Sequence, residues 1–120
     1  MIEIVSGFPD NVIAIVATGR VTRADYDQVL IPRVEAALKR HAKLRCYYEL
    51  GAAYAGFDAG AIWEDFKLGI ESLTRWERIA VVTDVPWIRH AVAATSFLIP
   101  AEIRLFAAAE ADAARRWLVA

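Results

Sequence analysis

Residues 12–18, Val12-Ile13-Ala14-Ile15-Val16-Ala17-Thr18, contain no charge, glycine or proline. A strand with one wet face alternates polar and apolar side chains, whereas a strand apolar at every position is covered on both faces. The run therefore demands a sheet with material packed on each side, and the segments around it supply that material.

Before it, residues 1–6 carry Ile2, Ile4 and Val5, and Gly7-Phe8-Pro9-Asp10-Asn11 supplies turn residues, so the chain opens with a hairpin. After it, Thr22 is an N-cap with Asp25 three residues on, approximating a capping box, and Val21 and Tyr26 are spaced as a hydrophobic staple. The stripe Tyr26, Val29, Leu30, Val34, Ala37, Leu38 defines a helix that ends in Lys39-Arg40-His41 and that Pro32 should kink or split. Residues 44–50 alternate Leu44, Cys46, Tyr48 and Leu50 against Arg45, Tyr47 and Glu49, the pattern of a third strand. Gly51 and the following Ala/Gly-rich stretch read as a loop.

A second helix is expected over residues 58–73, with Ile62, Phe66, Ile70 and Leu73 inward and Trp63, Glu64, Lys67 and Glu71 outward. Glu71 and Arg75 form a favourable i,i+4 pair there. Residues 78–83 form a fourth strand, and Asp84-Val85-Pro86 signals a third helix over residues 86–98 that Pro100 stops. A fifth strand over 103–106 and a terminal helix over 110–118 complete the pattern. The expected fold is α/β, a five-stranded mixed sheet with an N-terminal hairpin followed by parallel strands, and about four helices. At 120 residues, without repeats or linkers, residues 1–120 read as a single domain.

Composition excludes several functions. A net charge of −1 with scattered basic residues (Arg20, Arg33, Lys39, Arg40, Arg75, Arg78, Arg115, Arg116) suits solvated faces, and argues against a nucleic-acid surface. The one cysteine, Cys46, rules out an internal disulfide and reads as a buried, inert thiol. No basic segment followed by an apolar run opens the sequence, and the longest uncharged run, 91–101, is too short to span a bilayer. A cytoplasmic protein is expected, without a transmembrane segment and without a nucleic-acid partner.

Chemistry-bearing patterns are sparse. His41 and His90 lack a second ligand at metal spacing, and Ser6, Ser72 and Ser96 lack a nucleophile-elbow context. The glycines at 51, 56 and 60 match neither a dinucleotide nor a phosphate-loop fingerprint. No catalytic residue, metal or cofactor is expected, and the chain reads as a non-enzyme. The tentative binding residues are Glu49 at the end of the third strand, Tyr54 and Phe57 in the loop, and Asp58 and Trp63 on the second helix. Trp87, His90 and Phe97 complete the set on the third. The acidic members also read as an N-cap (Asp58) and as solvated charges, and Asp58 itself competes for donors a phosphate would need. On the third helix Ile88, Ala91, Val92, Thr95 and Ile99 form a core stripe. Trp87, Ala94, Phe97 and Leu98, with His90 among them, form a second, largely apolar one. That second stripe fits three readings: additional core, a homodimer contact, or a lid or membrane-facing surface over an apolar ligand.

These residues together resemble the SpoIIAA-like proteins. The shared features are the Gly7-Phe8-Pro9 hairpin, Val21-Thr22-x-x-Asp25-Tyr26 opening a helix broken at Pro32, and Tyr48-Glu49-Leu50 leading to Phe57 and Trp63. Val81-Val82-Thr83-Asp84 followed by Trp87, and a final Trp117-Leu118, complete them. The resemblance implies a small bacterial domain related to STAS domains and likened to Sec14-type lipid-binding folds. In STAS anti-sigma-factor antagonists a Ser or Thr opening the second helix is phosphorylated. The matching stretch here, Gly56-Phe57-Asp58-Ala59-Gly60, has neither. Asp58 carries one negative charge where phosphoserine carries about −1.5 to −2. The resemblance thus implies a non-catalytic regulatory or interaction module without the phosphoacceptor. Its alternative is a carrier or sensor of a small apolar or lipid-like ligand, touching membranes peripherally through the third helix.

Overall fold

The structure, a computed structural model, describes residues 1–57, 75–95 and 101–120, with the side chains of Arg23, Tyr26, Ala91, Thr95 and residues 52–57 outside the description. One sheet organises it, in the order β1 (Ile2–Ile4), β2 (Val12–Val21), β3 (Leu44–Phe57), β4 (Trp76–Thr83), β5 (Glu102–Phe106). β1 pairs antiparallel with β2, and every later neighbour is parallel. The hairpin-then-parallel sheet expected from the sequence is the one observed. Gly7, at φ 92°, supplies the left-handed residue in the turn between β1 and β2.

Alternation along each strand sorts its side chains into two cores. Ile13, Ile15 and Ala17 of β2, Leu44 and Leu50 of β3, and Val81 of β4 pack on one face. They meet Leu30, Val34 and Ala37 from the first helical region and Ile88 from the third. Val12, Ala14, Tyr47, Ala80, Val82 and Phe106 pack on the other, against Ala114 and Leu118 of the last helix and Phe8 of the hairpin turn. The unbroken apolar run of β2 is thus covered on both sides. When strand order follows chain order and crossovers are right-handed, the crossover helices collect on one face. Among the described residues, the hairpin turn and the terminal helix cover the second.

The first helical region is split, as Pro32 suggests, but the break lies upstream of the proline. A single turn, α1 (Arg23–Asp25), passes into a π-helical segment (Tyr26–Leu30), and α2 (Ile31–Arg40) restarts with Pro32 in its first turn. The break falls upstream of the proline because Pro32 lacks an N–H that the first turn of a helix does not use. The capping box is present: Thr22 N–H donates to Asp25 Oδ2 at 2.8 Å and Asp25 N–H donates to Thr22 Oγ1 at 3.3 Å. The staple partner Tyr26, the second helix over 58–73 and Glu71 lie outside the described side chains. The third helix, α3 (Pro86–Thr95), and the last, α4 (Ala111–Val119), preceded by a 3₁₀ turn (Ala108–Glu110), begin where expected, and the expected end of α3 over residues 96–98 lies outside the described residues.

Two corrections concern strands and charges. β2 runs on to Val21, and β3 runs through the expected loop to Phe57, with Gly19 paired to Tyr54 and Val21 to Phe57. Register shifts on either side of Gly19, whose φ is 57°, place the extra residues on β3, which bulges there and pairs on. Pairing then carries Ala and Gly residues of low strand propensity into the sheet. Second, Arg75 and Arg78 are not simply solvated. Helices packed antiparallel to parallel strands bring their carbonyl ends to the strand starts, where arginines are favoured. Arg75 donates to Ala42 O at 2.6 Å, His41 O at 2.9 Å and Leu38 O at 3.1 Å, closing α2. Arg78 donates to Trp117 O at 2.7 Å at the end of α4.

Candidate functional site

Ligands of parallel α/β sheets sit outside the carboxyl ends of the strands, where helices begin. On this edge the described helix starts are closed from within. Asp25 holds the Thr22 N–H, and the Thr83 hydroxyl accepts from Val85 N–H at 3.1 Å. Asp84 Oδ1 accepts from Ala108 N–H at 3.0 Å, and Glu110 Oε1 from Ala107 N–H at 2.8 Å. The sequence pattern places Asp84 at the α3 start. Instead Asp84 ties the end of β4 to the turn after β5, and Thr83, fully buried, makes the local turn. These donors are spent on the chain's own oxygens, three of them carboxylates that would also repel a phosphate.

Asp25 shows how the balance is struck. Burial alone would raise its pKa, but the hydrogen bonds from Thr22 and the nearby N-terminal ammonium, 3.4 Å away, outweigh that and hold the carboxyl below its ordinary range.

The expected binding residues do not form one site. Glu49 is half-buried on the α4 side of the sheet, where the Tyr47 hydroxyl donates to its Oε1 at 2.7 Å. Burial first, then the Glu49 carboxylate, pushes the Tyr47 phenol well above its usual pKa. Arg115 stands over Phe8 at 4.6 Å and near Tyr47 at 5.8 Å, closing this corner. Trp87 and His90 belong to α3, which packs through Ile88 and Val92 on the opposite face. Glu49 is therefore separated from them by the sheet itself. Tyr54 and Phe57 lie on β3, with their side chains outside the description, and Asp58, Trp63 and Phe97 lie outside the described residues.

Within α3 the two stripes separate. Ile88 is 6 % exposed while its neighbour Trp87 is 55 % exposed. His90, Ala93 and Ala94 are also exposed. Trp87, His90 and Ala94, spaced i, i+3, i+7, share one side of the helix. The additional-core reading of this stripe is overturned for its described members. The roles of Thr83 and Asp84 were hidden in the sequence, because a hydroxyl capping a turn and a carboxylate reaching another connection have no fixed spacing. Among the described residues, no three His, Cys, Asp or Glu side chains come together to hold a metal, and no helix is long and apolar enough to cross a membrane.

Fold and edge define a small α/β module: a five-stranded mixed sheet, described crossover helices on one face, and strand ends closed by internal hydrogen bonds. The chain belongs to the SpoIIAA-like family, which it matches over residues 12–119. It is similar to an uncharacterized protein of the DUF3478 family with a SpoIIAA-like fold from Shewanella loihica PV-4, whose crystal structure was determined at 2.25 Å. The two share 25 % identity with a TM-score of 0.77, over 98 % of this chain and 92 % of that one. No curated protein matches the sequence.

Proposed function

We propose that this SpoIIAA-like chain is a single-domain, non-catalytic regulatory module of the cytoplasm that docks a protein partner through the outer side of α3. The carrying observation is Trp87, 55 % exposed in the first turn of that helix, beside His90 and Ala94. Exposed tryptophan is costly in a surface helix and is the side chain most enriched at the centres of protein interfaces. The absence of Ser and Thr from residues 51–60 supports a module that binds without Ser/Thr phosphorylation at that edge. Helix starts closed by Asp25 and Glu110 support shape-based rather than phosphate recognition.

The test is affinity capture from the native cytosol with the wild-type chain and with Trp87→Asp, analysed by native mass spectrometry. A stoichiometric polypeptide partner lost in the variant supports docking. A small apolar adduct recovered in organic extract, with no polypeptide, would favour the carrier reading instead. Capture indifferent to Trp87→Asp refutes the α3 surface.

A further inference from the structure

The outer edge of β5 is a second surface, on different residues. β5 ends the sheet, so among the described residues no strand lies beyond its outer row of backbone N–H and C=O groups. Sheet edges are usually blunted by shortness, charged side chains, proline or a bulge. The opposite edge follows that rule, since β1 spans only three residues, Ile2–Ile4. β5 has no proline, and its register against β4 runs without a shift from Arg78–Glu102 to Val82–Phe106. Its only such guard is charge, and that charge is of both signs, Glu102 and Arg104, so it repels a mismatched strand but not a complementary one.

We infer that two copies of this chain pair antiparallel through β5, about a two-fold axis at Ile103, to form one continuous ten-stranded sheet. The register follows from charge. In a symmetric antiparallel pair, directly opposed residues share a sheet face, so their numbers differ by an even amount. Centring on Glu102 or on Arg104 sets like charges directly against each other, which is unfavourable. Centring on Ile103 sets Glu102 of one copy opposite Arg104 of the other, twice, with Ile103 against itself. Both charged residues are exposed and ready to pair: Glu102 keeps 61 % of its side chain in solvent despite its 3.6 Å contact with Arg78. Arg104 is held in place by the rings of Phe106, 5.3 Å away, and Trp117, 5.4 Å away. Ile103 and Leu105 are only half-buried, leaving apolar surface for a second copy to cover. The partner is another molecule of this chain because Glu102-Ile103-Arg104 is complementary to its own reverse.

Sedimentation and native mass spectrometry over a dilution series test this. The wild-type chain should be a dimer. Glu102→Arg alone and Arg104→Glu alone should each weaken it at least about tenfold, with circular dichroism checking that the fold is kept. The double swap should restore it. That rescue separates pairing between copies from damage within one, since the double variant keeps the repulsion that Glu102→Arg creates against Arg78. Ile103→Cys should form a disulfide with its own copy on mild oxidation, because opposed Cα atoms lie about 4.5–5.5 Å apart. Arg104→Cys should not, being about 8 Å from itself in this register. A monomer at every concentration overturns the inference. So does a dimer indifferent to the single reversals, or one abolished by Trp87→Asp, which would assign the contact to α3.

Discussion

Arg45 and Arg78 are register partners on β3 and β4, and both reach the last carbonyls of α4. Arg45 donates to Leu118 O at 2.6 Å and Ala120 O at 2.8 Å, and Arg78 to Trp117 O at 2.7 Å and Ala120 O at 3.1 Å. A nine-residue helix is marginal by itself. Here two guanidiniums satisfy its orphan carbonyls and meet the negative end of its dipole. Arg78 also stacks on Trp117 at 5.4 Å.

Removing either arginine should therefore loosen α4 before it unfolds the sheet. Arg78→Ala and Arg45→Ala are each expected to cost ~1–2 kcal/mol, read as a lower urea midpoint with an unchanged slope. Because each arginine still satisfies Ala120 O when the other is removed, the double variant should lose more than the two single losses added together. Hydrogen exchange should rise first over residues 111–119.

Trp87 and Ile88 are adjacent but lie on opposite sides of α3. Trp87→Asp should change stability by less than about 1 kcal/mol, and Ile88→Ala should cost roughly 2–4 kcal/mol. Chemical denaturation of the two variants decides the matter. Equal, large losses would make Trp87 part of the core.

Acid should weaken two contacts. The Arg40 hydrogen bond first, then that of His41, lowers the Asp10 carboxyl from 3.8 to about 2. Asp25 is lowered as well. A carboxyl with a lower pKa in the folded state contributes its full stability above its unfolded value. That contribution is lost as pH falls through the folded one. For Asp10 the window runs from 3.8 down to about 2. Asp10→Asn should flatten the fall in stability over that range, and NMR titration of the carboxyl should follow the same curve.

The buried Tyr47 phenol should resist ionisation in an alkaline spectrophotometric titration until the protein unfolds. Tyr47→Phe should remove that component and cost about 1 kcal/mol. Half-buried Glu49 then loses the donor that held it at 2.7 Å.

Much of this architecture is legible in the residues. The doubly apolar β2, the alternation of residues 44–50, the Thr22/Asp25 box and the Pro86 helix start are local patterns, and local periodicity records which faces are buried. Residues 51–57 read as a loop because Ala and Gly favour one in isolation, whereas pairing with β2 across the register shifts opposite Gly19 makes them strand. The binding set reads as one cluster because nearness in sequence does not say on which face of a sheet a side chain emerges. Glu49 and Trp87 both follow from strand ends at one edge, yet the sheet stands between them.

The sequence by itself determined the type of most described elements, the two-sided cover on β2 and the absence of Ser and Thr from residues 51–60, since each depends on residue type or short-range spacing. Only the tertiary structure decided which helices share a face, which carbonyls the arginines close, that Trp87 faces outward, and that β5 ends the sheet. Those outcomes depend on contacts between residues far apart in the chain. Arg45 meets Ala120 across 75 positions, and no local pattern encodes such a pairing.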